Sequence, residues 1–307
     1  MSDVVISEFM DEAAIARHLA GRTVLYDPKL VDQPERLLAA VADCRALIVR
    51  NRTPVRGALL DAASRLQVVG RLGVGLDNID VEACAARGIA VRPATGANDL
   101  AVAEYVLTAA LLLLRRAWFA SDRVMAGAWP RMDSIGREGE GKRLGLVGYG
   151  AIARLTAHKA NALGFQVAAY DPFLPADHAA WRHAERLTLE SLLASSDVVS
   201  LHTPLTPTTR RLIDAAALAR MKRDAILINA ARGGIVDEAA LIDALRNGRL
   251  GGAALDVFET EPVDAAAGSA FRGTPNLILT PHIAGVTDES NVRVSDVTAR
   301  AVSDALR

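Results

Sequence analysis

Short, nearly continuous apolar runs alternate along the chain with segments whose apolar positions recur every three or four residues. In the N-terminal part the runs fall at 4–6, 24–26, 47–49, 68–69 and 89–91, with helical patterns at 12–19, 35–42, 55–62 and 81–86 between them. Strands without polar alternation are those covered on both faces, and the helices between them supply the cover. The pattern predicts a parallel sheet of the α/β class. Residues 98–118 read as one long helix, apolar on most sides. Such a helix packs between domains or subunits, or serves as a core helix, and the pattern leaves both open. A polar, glycine-containing stretch at 133–141 reads as a loop. The alternation then resumes, with strands expected at 144–147, 167–170, 197–202, 225–229, 253–257 and 277–279. Helical patterns fall at 188–194, 214–221, 237–247 and 287–307, with Asp237 and Thr287 as N-caps and Gly248 just past a helix end.

The chain has 307 residues, enough for two ordinary domains. A hydrophobic fraction of 51% and a net charge of −1 suit an α/β enzyme and point away from nucleic acid and acidic membrane surfaces. The cysteines, Cys44 and Cys84, have no metal-like spacing and read as reduced, packed thiols, so no metal is expected. The N-terminus lacks a basic start followed by a long apolar core. The most apolar run ends at 111–114, is stopped by Arg115 and Arg116, and is too short to span a bilayer. A cytoplasmic location is the expectation by exclusion.

The stretch KRLGLVGYGAIARLTAHKANALGFQVAAYDP (142–172) reads as strand, tight turn, helix, strand. Gly148, Gly150 and Ala153 fit G-x-G-x-x-G/A. The first glycine permits the turn, the second lets backbone approach a pyrophosphate, and Ala153 keeps the helix close to the sheet. The pyrophosphate would sit at the helix N-terminus, where unpaired N–H groups and the dipole favour an anion. Ile152, Leu155 and Leu163 give that helix a buried side, and Gly164 ends it. Asp171, roughly 20 residues after the glycines, can bind both ribose hydroxyls and would repel a 2′-phosphate. A glycine triplet alone is weak evidence, but strand, helix, second strand and acid occur together here. The expected cofactor is NAD.

In open parallel sheets, ligands bind outside the carboxyl ends of the strands. Three polar groups fall there: Arg232 in NAARGG, Asp256 and Glu261 in LDVFETEP, and His282 in LTPHIAG. Removing a hydride from an alcohol carbon needs a base for the hydroxyl proton, and a histidine of ordinary pKa, ~6.5, suits neutral pH. A carboxylate bonded to the imidazole fixes its tautomer. Arginine offers a planar fork matched to a substrate carboxylate. Singly, such a histidine reads as a loop residue and such an arginine as surface charge; on neighbouring strand ends beside a dinucleotide turn they read as one site.

The chain resembles the D-2-hydroxyacid dehydrogenase family over nearly its whole length. The resemblance is carried by GRLGVGLDNID (70–80), the glycine turn with YDP (170–172), LHTPLT (201–206), NAARGGIVDE (229–238), LDVFETEP (255–262) and PHIAG (281–285). It implies Arg232 as carboxylate binder, Glu261 as carboxylate partner and His282 as acid/base. It also implies that Asp256 holds the nicotinamide amide. Ala151, Ile152, Thr203, Ala230, Ala231, Ala284 and Gly285 would line the cofactor, and the N–H groups of Val74 and Gly75 would meet the substrate carboxylate. The implied fold is two Rossmann-like domains, each a doubly wound parallel sheet, with a cleft between them. Residues 1–98 and 286–307 would form a discontinuous, flavodoxin-like substrate-binding domain, and 99–285 the NAD-binding Rossmann domain. A homodimer is implied, with 98–118 as the interface. With no extension after Arg307, serine feedback of the kind seen in longer relatives is not expected.

Arg50 and Arg52 in LIVRNRT, and Arg71 in GRLGVG, end strands of the smaller domain. Facing the cleft, they would suit a small substrate with a second anion; otherwise they are solvated surface charges. ISEFMDEAAI, VRNRT, RLGVGLDNID and PHIAGVTDES look closest to family members acting on 3-sulfolactate. 3-Phosphoglycerate is the alternative, and reduction of glyoxylate or hydroxypyruvate a further one. A different class, an NAD-sensing corepressor, would need a docking groove, and neither an aromatic-rich stretch nor a disordered tail is visible. Formate or phosphite oxidation fits poorly, because a His–Glu pair suits proton removal from a hydroxyl.

Overall fold

A computed structural model describes residues 2–307. In chain order its first part contains β1 (Val4–Ile6), α1 (Glu12–His18), β2 (Val24–Tyr26), α2 (Pro34–Val41), β3 (Ala46–Val49), α3 (Ala58–Ala62), β4 (Val68–Arg71), α4 (Val81–Ala86) and β5 (Ala90–Pro93). There follow α5 (Asp99–Arg115), α6 (Ser121–Met125), β6 (Arg143–Val147), α7 (Ala151–Ala162), β7 (Gln166–Tyr170), β8 (Glu185–Arg186), α8 (Leu189–Ser195) and β9 (Val198–Leu201). The rest is α9 (Ala215–Arg220), β10 (Ile226–Asn229), α10 (Glu238–Arg246), β11 (Gly252–Leu255), α11 (Ala265–Ala270), β12 (Leu277–Leu279) and α12 (Asp288–Ala305). The chain divides into two compact units, one running to Asn98 and resuming at Val286–Arg307, the other Asp99–Gly285.

The first unit is built on a parallel sheet in the order β2-β1-β3-β4-β5. Val5, Leu47, Val49 and Val69 face one side, against Leu37 and Val41 of α2, Leu59 and Leu60 of α3 and Cys84 of α4. Val4, Ile6, Ala46, Ile48 and Val68 face the other, against Ala14 of α1 and Val294, Ala299 and Val302 of α12. With both faces covered, these strands have no solvent side on which a polar residue would alternate. Cys44 and Cys84 are buried free thiols, and burial pushes Cys44 up to about 12.

The second unit holds a parallel sheet in the order β12-β11-β10-β9-β6-β7-β8. β6 has β7 on one side and β9 on the other, so the strand order reverses there and opens a crevice at the carboxyl ends. Leu144, Leu146, Val167, Ala169, Val198 and Ile228 pack beneath α5 and α7. Val147, Val199, Leu201, Leu227 and Leu255 pack under Leu192, Leu218, Leu241 and Leu245 of α8, α9 and α10.

The expected helix at 98–118 ends at Arg115, because Arg116 takes a left-handed φ of 52° that stops the ladder. Its buried residues, Val106, Leu107, Ala110, Leu113 and Leu114 among them, belong to the core of this unit. The helix expected from 55 begins only at Ala58, since Gly57 has φ 50° and Val55 forms a bridge with Ile79 instead. β8 and α11 were not foreseen; their two and six residues are too short and polar or small to show a period. The expected caps are present: Asp237 accepts from Ala240 N–H, and Thr287 forms a capping box with Ser290. Among the described residues no helix is long and apolar enough to cross a membrane.

Candidate active site

The glycine turn lies where the carboxyl ends of β6, β7 and β9 meet. Gly148 has φ 89°, and its N–H donates to Tyr170 O at 2.7 Å. A Cβ on it would stand 2.8 Å from His202 O, so backbone approach as well as dihedral angle requires glycine. Gly150 caps α7 without a side-chain hydrogen bond, and a Cβ there would meet nothing within 4 Å. Open space therefore lies before the helix end at Ala151 and Ile152, while Ala153 is fully buried against the sheet. Beside Gly148, the buried Thr203 hydroxyl has no partner among the described residues.

Asp171 does more than place a charge at the end of β7. Its Oδ2 accepts from Tyr149 N–H at 2.8 Å, and its Oδ1 from Phe173 and Leu174 N–H at 2.9 and 3.1 Å. The carboxylate, expected to bind the ribose hydroxyls, thus also shapes the turn. An uncapped helix end, an unmet buried hydroxyl and an acid on the neighbouring strand end fit the diphosphate, and the ribose, of a dinucleotide.

Across the switch point a second group gathers. At the end of β10, Asn229 Oδ1 accepts from Ala231 N–H at 3.1 Å, and its Nδ2 donates to Arg232 O at 2.9 Å. That side chain pins the Ala230–Ala231–Arg232 turn. A Cβ on Gly233 would stand 1.7 Å from Phe258 O, so this turn lies directly on the loop after β11. In that loop Phe258 N–H donates to Glu261 Oε1 at 2.9 Å, and Glu261 Oε2 meets His282 Nδ1 at 2.7 Å. Burial alone would raise the Glu261 carboxyl. The bonds from His282 and Phe258, with the charges of His282 and Arg232, outweigh it and hold the group below its ordinary range. An ionised carboxylate only accepts, so Nδ1 carries the hydrogen in the neutral ring and Nε2 is left as a proton acceptor.

His282 itself has φ 56°, a left-handed conformation costing about 1–2 kcal/mol for a residue with a Cβ. Its N–H is held by Asp256 O at 2.8 Å and Thr280 O at 3.0 Å. The Asp256 side chain, 1% exposed, accepts from Thr280 Oγ1 at 2.6 Å, Ile283 N–H at 2.8 Å and Ala284 N–H at 2.7 Å. Burial raises this carboxyl above its ordinary value, opposed by Thr280, the two N–H groups and His282. Ala284 is buried and Gly285 follows it at the end of the unit.

Sequence reasoning placed Asp256 against a ligand and missed its work in building the His282 loop. It also passed over Asn229 and Thr280. A signal for both was legible, since each is a polar residue closing an otherwise apolar strand run. Tyr105, whose hydroxyl meets Thr280 Oγ1 at 2.6 Å, lies far upstream and carried none.

The remaining expected residues lie in the first unit. Arg50 and Arg52 follow β3, and Arg71 ends β4. Glu8, 4% exposed, accepts from the N–H groups of Arg50, Arg52 and Thr53 at 2.8, 3.1 and 3.0 Å and fixes their turn; it was not foreseen. Arg50 donates to Asn291 Oδ1 at 2.7 Å, and Arg52 is paired with Asp32 at the surface. Arg71 donates to Leu72 O at 2.6 Å. The N–H groups of Val74 and Gly75 donate to no acceptor among the described residues.

A reversed parallel sheet with a glycine turn at the reversal, and a carboxylate-held imidazole on its strand ends, defines a pyridine-nucleotide-dependent oxidoreductase. Residues 107–284 match the family model described as D-isomer specific 2-hydroxyacid dehydrogenase, NAD binding domain. The chain belongs to that family. It is 57% identical to an (S)-sulfolactate dehydrogenase of Chromohalobacter salexigens, covering 100% of this chain and 99% of that one. It is 42% identical to a D-3-phosphoglycerate dehydrogenase of Mycobacterium bovis, over 95% of this chain but 56% of that protein's length. Among solved structures it is similar to D-lactate dehydrogenase from Aquifex aeolicus in complex with NAD and lactic acid. There the TM-score is 0.84, at 28% identity, covering 97% and 94% of the two chains.

Proposed function

We propose that the protein oxidises 3-sulfolactate at C2 to 3-sulfopyruvate. The observation that carries this choice is the likeness to the (S)-sulfolactate dehydrogenase, which runs over the full length of both chains. The (S) descriptor agrees with a D-isomer family. The sulfonate-bearing carbon outranks the carboxyl in the naming rules, so (S)-sulfolactate has the same arrangement in space as a D-2-hydroxy acid. Steady-state assays with both substrates test the proposal. A far larger kcat/KM for 3-phosphoglycerate than for 3-sulfolactate would reverse it in favour of the second reading.

In this reading Gly148, Gly150, Ala151, Ile152, Asp171 and Thr203 hold NAD, with Ala230, Ala231, Asp256, Ala284 and Gly285 at its nicotinamide end. When bound, NAD supplies the hydride acceptor. His282 Nε2 takes the proton of the substrate hydroxyl, and the Glu261 carboxylate beside Nδ1 stabilises the imidazolium that forms. Arg232 receives the carboxylate in a two-pronged bond. Arg50, Arg52 and Arg71 take the sulfonate. The surface pair between Arg52 and Asp32 is weakly held and exchangeable.

A second copy of the chain is the proposed partner. Trp118, Met125, Trp129, Met132 and Ile135 are 58–82% exposed within one stretch that the core helix α5 leaves behind. Apolar surface of that density marks an interface. Light scattering is expected to give twice the chain mass, and Trp129→Glu to shift it toward the monomer. A wild-type monomer would end the proposal.

A further inference from the structure

The nicotinamide-end loop is held by more than Asp256 alone. Thr280 has a single hydroxyl hydrogen, and the buried Asp256 carboxylate, 2.6 Å away, receives it. The hydroxyl of Tyr105, 2.6 Å on the other side, must then be the donor to Thr280 Oγ1. Burial pushes the Tyr105 phenol up to about 12, so it keeps its hydrogen throughout the physiological range. The bonds run in one direction, from α5 through Thr280 to Asp256. Asp256 then gathers the N–H groups of Ile283 and Ala284 on its carboxylate and that of His282 on its backbone carbonyl. His282 sits at the centre of this clamp in a left-handed conformation that its own backbone does not favour.

We propose that Tyr105 and Thr280 are positioning residues, a hydroxyl relay that orients the Asp256 carboxylate and through it the loop carrying His282. The inference rests on the dehydrogenase reading of the site. Neither hydroxyl touches substrate; each acts through Asp256. Charge-assisted hydrogen bonds in a buried network are the stronger kind, and chains of them act cooperatively.

The test uses the full chain with Thr280→Val, Thr280→Ser and Tyr105→Phe, singly and combined. Thr280→Val keeps the shape and removes the hydroxyl, and kcat is expected to fall on the order of tenfold or more. Thr280→Ser restores the donor and is expected within about threefold of wild type. Tyr105→Phe is expected to lower kcat roughly threefold alone and not at all in the Thr280→Val background, because its effect passes through Thr280. Without any cofactor, hydrogen exchange of the Ile283 and Ala284 amides is expected to quicken in Thr280→Val and not in Thr280→Ser. Additive losses, a serine variant as impaired as the valine one, or unchanged amide protection would each overturn the relay. A wild-type protein that oxidises no 2-hydroxy acid would instead overturn the reading of the site on which it rests.

Discussion

Gly233→Ala isolates the contact that joins the Arg232 turn to the Glu261 loop. The added Cβ would stand 1.7 Å from Phe258 O and 2.9 Å from Glu259 N. Real Cβ atoms essentially never approach closer than 3.0 Å, so one loop must retreat by more than 1 Å. Neither can yield cheaply. Asn229 pins one side, and on the other Phe258 N–H holds Glu261 while Glu259 N–H donates to Glu238 at 2.6 Å. Overpacking of this kind costs about 1–3 kcal/mol, leaving the protein folded with a Tm lower by about 2–4 °C for each kcal/mol. The effect on turnover is larger, because a displacement of roughly 1 Å in a catalytic array costs on the order of a hundredfold. NAD affinity should hold within about threefold, since the Gly148 turn and Asp171 lie on other strand ends. Gly234→Ala is the control. Its φ of 77° makes alanine strained, by about 1 kcal/mol, but its nearest neighbour is 3.7 Å away. It should lower Tm and leave kcat within about threefold. NADH absorbance at saturating substrate, titration of NAD by intrinsic fluorescence and thermal melts read the three quantities. Equal kcat losses in the two variants, or none in Gly233→Ala, would refute the idea that this contact sets the register of Arg232 and Glu261.

Three further outcomes are expected. His282→Ala should lower kcat by about 10²–10⁴-fold with NAD affinity largely retained; a dissociation constant that rises in step would mean the ring contacts cofactor more than substrate. Asp171→Ala should narrow the preference for NAD over NADP and also weaken NAD itself, because the Tyr149 N–H loses its acceptor; unchanged discrimination would assign the preference elsewhere. His202, bonded to Ser200 at 3.0 Å, is lowered by desolvation to about 4 from an ordinary 6.5. Between those values the unfolded chain binds a proton that the folded one does not, so stability should fall as pH drops from 6.5 toward 4. Melts of wild type against His202→Gln across that window should show a shallower decline in the variant, and superimposable curves would count against the assignment.

The periodicity of the chain determined the two parallel sheets, because strands buried on both faces must be apolar throughout and therefore stand out from their amphipathic helices. Gly148, Gly150, Ala153 and Asp171 were legible as a dinucleotide turn for a similar reason: a tight turn, a close backbone approach and a ribose acid restrict residue type at fixed spacing. Arg232, Glu261 and His282 were legible as strand-end chemistry. The partners that hold them were not. Glu8 under Arg50 and Arg52, and Tyr105 behind Thr280, act across long sequence separations, and no local rule couples such positions. The dual work of Asp171 and Asp256 was hidden for the same reason, since a carboxylate's residue type says that it is charged and not which N–H groups will surround it. The end of α5 at Arg115 was decided by a left-handed residue that composition does not announce. Only the packed fold, by bringing strand ends together at a reversal of strand order, turned a set of plausible residues into an imidazole with its Nδ1 held and its Nε2 available.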